Sequence, residues 1–337
     1  MRRAVQGLPR RALFSGLLML LAFGGIVLDR AIAWAQRRAP VRIGVLTEGW
    51  GPTPATLGLR DGLQVLGYRE DEHFHIGVRF TQGDIGALPT AARELLAAGS
   101  DIIFAPSSNA ARAARQATTV TPIVFGEVVG DPVKLGLVQS FARPGGNVTG
   151  VSTLAIELTS KRLELFKELV PGLKRVLFVY DPSDPDGVAA AQVHREAAQH
   201  LALALVEKTP RSQEEAREVI ARVRRADVDG ILASPSGMSL NIPGAVLDAA
   251  SRQQLPTMFN AAFWVERGAL AGYGPDFYES GRQAARLVLK ILNGEKPENI
   301  PVETNSRIEF VINLKVAKAL KLQVGQAILQ RADRLIE

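Results

Sequence analysis

Pro122-Ile-Val-Phe-Gly-Glu-Val-Val-Gly-Asp-Pro-Val-Lys-Leu-Gly-Leu-Val138 runs on through Arg143-Pro-Gly-Gly-Asn-Val-Thr-Gly-Val-Ser-Thr153, and its reading decides the fold. Ile123, Val124 and Phe125 are apolar in succession rather than in alternation, as in a strand buried on both faces of a parallel sheet. Asp131 offers a side-chain oxygen to cap a helix, and Pro132 fits the first helical position, where its missing N–H costs nothing. Pro144-Gly-Gly closes that helix, and Asn147 to Val151 forms the next strand. Strand, helix and strand in this order predict an α/β sheet. In such a sheet ligands sit beyond the carboxyl ends of the strands. Gly126 to Asp131 and Ser152-Thr153 are then expected at one rim.

Toward the N-terminus the alternation continues. Val41 to Leu46 is a strand, followed by the loop Thr47-Glu-Gly-Trp-Gly-Pro52. Thr53 caps a helix with Leu57, Leu59, Leu63 and Leu66 near one face, and Gly67 ends it. Phe74, Ile76, Val78 and Phe80 alternate as a strand. A helix from Ile85 to Ala98 and the strand Asp101 to Ala105 lead to Pro106-Ser-Ser-Asn109 and an alanine-rich helix.

Toward the C-terminus the pattern starts afresh. A helix (Glu157 to Leu169) precedes the strand Val176 to Tyr180 and the turn-rich loop Asp181-Pro-Ser-Asp-Pro-Asp-Gly187. Ser212-Gln-Glu-Glu215 is a capping box. Strands follow at Gly230 to Ser234, Pro256 to Asn260 and Leu270 to Tyr273. Asp276 caps a long amphipathic helix that stops at Asn293-Gly294, and Ile308 to Ile312 precedes a C-terminal helix. The prediction is α/β: two doubly wound parallel-sheet lobes, with no linker between them.

The 337 residues, 47% hydrophobic and 22% charged, suffice for two cores. Of the net charge of +6, residues 1–35 hold +4 (Arg2, Arg3, Arg10, Arg11 and Arg30 against Asp29), which leaves +2 for the rest. No nucleic-acid footprint is expected. Arg10-Arg11, the apolar run Ala12 to Leu28 and Ala33-Trp-Ala35 have the order of an export signal, cleaved after about Ala35. No cysteine occurs, which excludes thiolate chemistry and a lipid-modified N-terminal cysteine. The expected place is the bacterial periplasm, free of the membrane.

Five ordered segments resemble the substrate-binding proteins of bacterial ABC importers, in the group with tryptophan/tyrosine-type binding components. They are Pro122 to Val138, Arg143 to Val151, Lys161-Arg-Leu-Glu-Leu to Pro171, Gly281-Arg-Gln-Ala to Pro297, and Phe310-Val-Ile-Asn-Leu-Lys315 to Leu320. The resemblance implies a periplasmic binding protein type I-like fold with hinge crossovers. One lobe would comprise residues 36–151 and 275–303, the other 152–274 and 304–337. It implies that a small solute, an aromatic amino acid among the candidates, is trapped by hinge closure and delivered by a monomer to an ABC permease.

Candidate contacts come from loops after strands. Ser107 and Ser108 stand where a helix start favours an anion, and Ser152 and Thr153 stand at the crossover. Glu127 suits an ammonium group, while Asp131 serves mainly as a cap. Asp181, Ser183, Ser234, Ser236 and Asn260 come from the second lobe. Trp50 and Tyr273 suit stacking on a planar solute, whereas Phe263 and Trp264 read as core. His73 and His75 share one strand face but lack a third ligand, so no metal or other cofactor is expected. A two-lobed enzyme is the main rival, yet no phosphate loop, dinucleotide fingerprint or nucleophile elbow is present. A sensor of the same fold is the other.

Overall fold

The structure, a computed structural model, describes residues 39–153, 155–234 and 242–337. The chain opens with β1 (Val41–Thr47), α1 (Pro54–Val65), β2 (Phe74–Phe80), α2 (Leu88–Ala97), β3 (Ile102–Ala105), α3 (Ser108–Ala117), β4 (Ile123–Val128) and β5 (Val148–Ser152). A second series follows: α4 (Thr159–Leu169), β6 (Arg175–Val179), α5 (Pro185–His200), β7 (Ala204–Lys208), α6 (Gln213–Ala221), β8 (Gly230–Leu232), α7 (Pro243–Gln253), β9 (Thr257–Phe259), α8 (Ala262–Val265) and β10 (Ala271–Pro275). The remainder is α9 (Phe277–Leu292), β11 (Glu303–Thr304), β12 (Ile308–Asn313), α10 (Leu314–Ala319), α11 (Gln326–Leu329) and β13 (Arg334–Ile336).

These strands make two sheets of matching topology. The first runs β11-β5-β4-β3-β1-β2 and the second β13-β12-β10-β9-β8-β6-β7. In each, the first strand of the series lies between the second and the third, so the winding direction reverses beside it. Ligand crevices form at such switch points, here between β1 and β3 and between β6 and β8. Pairing is parallel except where β12 runs antiparallel to β10, a departure from the all-parallel expectation. Strand β13, which pairs with β12 from Val311↔Arg334 to Asn313↔Ile336, was also not foreseen. Three residues are too few to display a period.

Each sheet is buried on both faces. Phe125, Leu46 and Ile103 pack with α2 and α3 on one side of the first sheet, and Phe104, Val45 and Val151 meet α1 and α9 on the other. In the second sheet Phe178 and Met258 form one core with Phe166 of α4 and with α5, and Leu177, Ile231 and Phe259 form the opposite one. Fully burying one such phenylalanine contributes roughly 1.5–3 kcal/mol over leaving it in water.

Helix α9 follows the second series in sequence but packs on the first sheet, against α1. The two backbones approach so closely that a Cβ at Gly58 would fall on the Tyr278 carbonyl oxygen, and one at Gly281 on that of Ala55. Three connections therefore pass between the sheets: after β5, between β10 and α9, and between β11 and β12. Asn305, 1% exposed, ties them together. Its N–H donates to the Ser152 carbonyl (2.9 Å), and its Nδ2 donates to the Asp276 carbonyl (2.7 Å) and to Ser280 Oγ (2.8 Å).

The helix expected from Asp131 is instead a single turn. Asp131 Oδ1 does accept from the Val133 N–H (2.8 Å). Gly136 then takes φ +69°, and the N–H groups of Gly136 and Leu137 return to the carbonyls of Val133 and Pro132. That pair of bonds is the left-handed glycine stop of a helix C-terminus, reached here after one turn.

Candidate functional site

The carboxyl ends of both sheets face one cavity of about 280 Å³. From the first sheet it is lined by Glu48 and Trp50 after β1, Ser107, Ser108 and Asn109 after β3, and Glu127 at the end of β4. From the second it takes Val179 at the end of β6, Asp186 on α5, Leu232 and Ser234 at and after β8, and Asn260, Phe263 and Trp264 after β9. Both switch points thus contribute. The volume sits near the lower end of small-molecule pockets, which start at ~300 Å³.

Local sequence fixes the polar half. Ser107 is the N-cap of α3: its Oγ accepts from the Ala110 N–H (3.1 Å) and donates to Glu48 Oε2 (2.6 Å). Ser108 Oγ accepts from the Val129 N–H (3.4 Å) and also bonds the Asp186 carboxyl. Asn109 Nδ2 reaches across to Asp184 Oδ1 (3.4 Å), and Asp184 caps α5 by accepting from the Asp186 N–H (3.2 Å). Gln213 Nε2 makes a second bridge between the two sheets' loops, donating to the Gln82 carbonyl (2.6 Å).

Glu48 and Glu127 are buried, at 3% and 9% exposure. Loss of solvent pushes the Glu48 carboxyl above its ordinary range, opposed by the Ser107 hydrogen bond. It pushes Glu127 well above that range, helped by the charge of Glu48 and opposed by the Ala55 N–H and the Thr53 hydroxyl. Glu127 Oε1 is buried without a hydrogen-bond partner. Asp186 is pushed up to about 6, first by burial, with Asp184 and Glu48 adding to the rise and Ser108 and Arg112 opposing it. The polar wall is therefore a cluster of carboxyl groups that disfavour one another's ionisation, a setting stabilised by a bound cation. The apolar part of the lining holds Phe259, Phe263, Trp264 and Phe277. Trp50, 51% exposed, lies in the loop after β1.

Six of the sequence-predicted residues meet at this cavity: Trp50, Ser107, Ser108, Glu127, Ser234 and Asn260. Six lie outside its lining. Asp131 holds its turn. Ser152 Oγ and Thr153 Oγ1 donate to the Val128 carbonyl at 3.4 and 3.1 Å, locking the crossover. Asp181 Oδ1 accepts from the Ser183 N–H (2.8 Å) and Oγ (2.6 Å) in a closed local turn. Tyr273 packs edge-on against Phe310 in the second core, and its carbonyl accepts from the buried Arg162 Nε (2.8 Å). Ser236 falls outside the described residues. His73 Nδ1 accepts from the Arg69 N–H, and His75 Nδ1 lies 3.1 Å from Asp71. Among the described residues no group of three or more potential metal ligands assembles.

Phe263 and Trp264, expected in the core, both line the cavity, and Trp264 packs against the second sheet's core as well. The β9 strand stops at Phe259, and the four-residue α8 turns both rings back toward the cleft. Glu48, Asn109 and Asp186 were missed as cavity residues. The signal for Glu48 and Asn109 was available, since each follows a strand that borders the switch point. Asp186 sits inside a helix, where position alone said nothing.

The chain matches the family model for ABC transporter substrate binding proteins over residues 41–336. It is 29% identical over 290 residues to a tyrosine-binding protein of Clostridioides difficile (strain R20291), covering 86% of this chain and 83% of the relative. A solved ABC domain in complex with L-Trp from Streptococcus pneumonia is 27% identical with a TM-score of 0.74, over 88% of this chain and all of that one. The ligand-free, open structure of a Clostridium difficile substrate binding protein with adhesive properties is 26% identical with a TM-score of 0.59, over 88% and 99%. The two-sheet architecture is the periplasmic binding protein type I-like one. The working environment of such components is extracytoplasmic, and their partners are small solutes and ABC permeases. With the cavity at both switch points and the match spanning nearly all of the described chain, this protein belongs to the ABC transporter substrate binding protein family.

Proposed function

We propose that the cavity binds a small solute with an aromatic ring and an ammonium group, releases it chemically unchanged, and presents it to a membrane permease. The observation that carries this reading is the mixed lining: buried carboxyls with Ser107 and Asn109, together with the rings of Phe259, Phe263, Trp264 and Phe277. Carboxylates recognise an ammonium by charge-assisted hydrogen bonds, and rings stack on a planar group. The relatives named for tyrosine and solved with L-Trp support a ligand of this size and type.

The bridges Asn109–Asp184 and Gln82–Gln213 join the two sheets' loops around the cavity. Together with the better superposition on the L-Trp complex than on the open structure, they support a closed arrangement here. In this reading residues 36–151 with 275–303 and residues 152–274 with 304–337 act as two lobes that part to admit the solute. The protein works as a periplasmic monomer, exported by a leader at residues 1–35. The test is calorimetry and thermal shift on the mature chain with L-tryptophan, L-tyrosine and the corresponding amines. Saturable 1:1 binding, a raised melting temperature and unchanged ligand after prolonged incubation are expected. Conversion of the ligand, or no binding by any of the four, contradicts the proposal.

A further inference from the structure

We propose that this cleft selects for a net monocation, a ring-bearing amine, and that a carboxylate on the ligand is disfavoured. The inference rests on the binding reading above and narrows its substrate class.

A zwitterionic amino acid needs two opposite subsites. The cavity supplies one of them several times over, in Glu48, Glu127 and Asp186. It supplies no cationic counterpart: among the described residues no lysine, arginine or histidine lines it, and the sequence of residues 235–241 contains none. Two arginines lie near without joining the lining. Arg112 acts on Asp186, and Arg267 covers the Phe263 ring with its guanidinium 3.4 Å from the centroid while donating to the Phe263 carbonyl.

At the uncharged alternative, a helix N-terminus with hydroxyl donors, the side-chain donors are already engaged. Ser107 donates to Glu48 (2.6 Å), Ser108 bonds Asp186, and Asn109 donates to Asp184 (3.4 Å). The side chains of Ser107, Ser108 and Asn109 thus each serve a carboxyl of the protein. A ligand carboxylate placed there would stand beside those carboxyls and add another negative charge to the group. The buried, unpartnered Oε1 of Glu127 marks an acceptor left for a donor to fill. The aromatic wall favours the same charge, because ring faces attract cations.

Calorimetry at pH 7.5 compares tryptamine, tyramine, L-tryptophan, L-tyrosine and indole-3-propionate on the wild-type chain. Each amine is expected to bind about tenfold or more tightly than its amino acid, a change of one decade in Kd, and the acid without an amine is expected not to bind. Glu127→Gln should weaken tryptamine about tenfold or more, with Glu48→Gln as a second variant and the melting curve of each as a check on folding. Amino acids that bind as tightly as the amines, or more tightly, overturn the inference and leave the binding proposal standing. Silence from all five ligands overturns both. An unchanged tryptamine affinity in both variants overturns the assignment of the carboxyl wall.

Discussion

Glu127 ends β4 with one carboxylate oxygen buried and unpartnered, and burial holds its proton on well above the ordinary carboxylate range. A carboxyl whose pKa is higher in the folded than in the unfolded chain binds more protons when folded. Its ionisation therefore lowers stability as pH rises from the unfolded value toward the folded one. Glu127→Gln should raise the melting temperature of the ligand-free protein at pH 8 while changing it little near pH 4. A variant less stable than wild type at pH 8 would show the carboxylate to be well satisfied. Ligand affinity should move the opposite way: an ammonium group pulls Glu127 into its charged form, so binding releases protons and strengthens with pH. Calorimetry in two buffers of different ionisation enthalpy reads that release directly. A buried acid kept for binding at the expense of stability is the common trade at functional sites. Glu127 was legible in the sequence because it follows an apolar strand run. Asp186 was not, since only the fold brings the first turn of α5 beneath Ser108.

Capping and breaking residues placed most helices correctly. Thr53 accepts from the Thr56 N–H at the start of α1, Asp276 accepts from the Glu279 N–H at the start of α9, and Ser212 accepts from the Glu215 N–H at the start of α6. The misreadings have physical causes at this same scale. After Pro132 the left-handed Gly136 stops the helix at one turn, and a single glycine in a sequence gives no sign of its φ. Strand β12 alone departs from the parallel rule: the chain enters it from the first sheet and runs antiparallel to β10, while β13 pairs parallel with β12. The α1–α9 contact depends on the absence of side chains at Gly58 and Gly281. Gly281→Val should place a branched side chain against the Ala55 backbone and cost roughly 3 kcal/mol, lowering the melting temperature by several degrees. Far-UV circular dichroism melts check it, and a variant as stable as wild type would mean that the two helices separate freely.

The two sheets share one winding order, and that symmetry sets both switch points against one cavity. Sequence revealed the echo of elements but not the strand order, and without strand order the rims of β1 and β6 look no different from any other. That is why loops after several strands were all candidates, and why Ser152, Thr153, Asp181 and Ser183 proved to be engaged in local bonds. Asn305, unnoticed in the sequence, joins all three crossings. Asn305→Ala removes bonds to the Asp276 carbonyl and Ser280 Oγ and leaves the Arg307 N–H without its acceptor. A loss of roughly 1–3 kcal/mol is expected. A looser hinge populates the binding-competent form less, so affinity should fall several-fold with the cavity residues untouched. Calorimetry on this variant checks it, and wild-type affinity with wild-type stability would remove Asn305 from the hinge. The most direct measurement of the whole account is hydrogen exchange by mass spectrometry, with and without the tightest binder among tryptamine, tyramine, L-tryptophan and L-tyrosine. Slowed exchange on binding is predicted at once in residues 47–54 and 106–110 of the first sheet's loops and in 181–187 and 259–265 of the second's; protection confined to one sheet, or lying away from these loops, would contradict it.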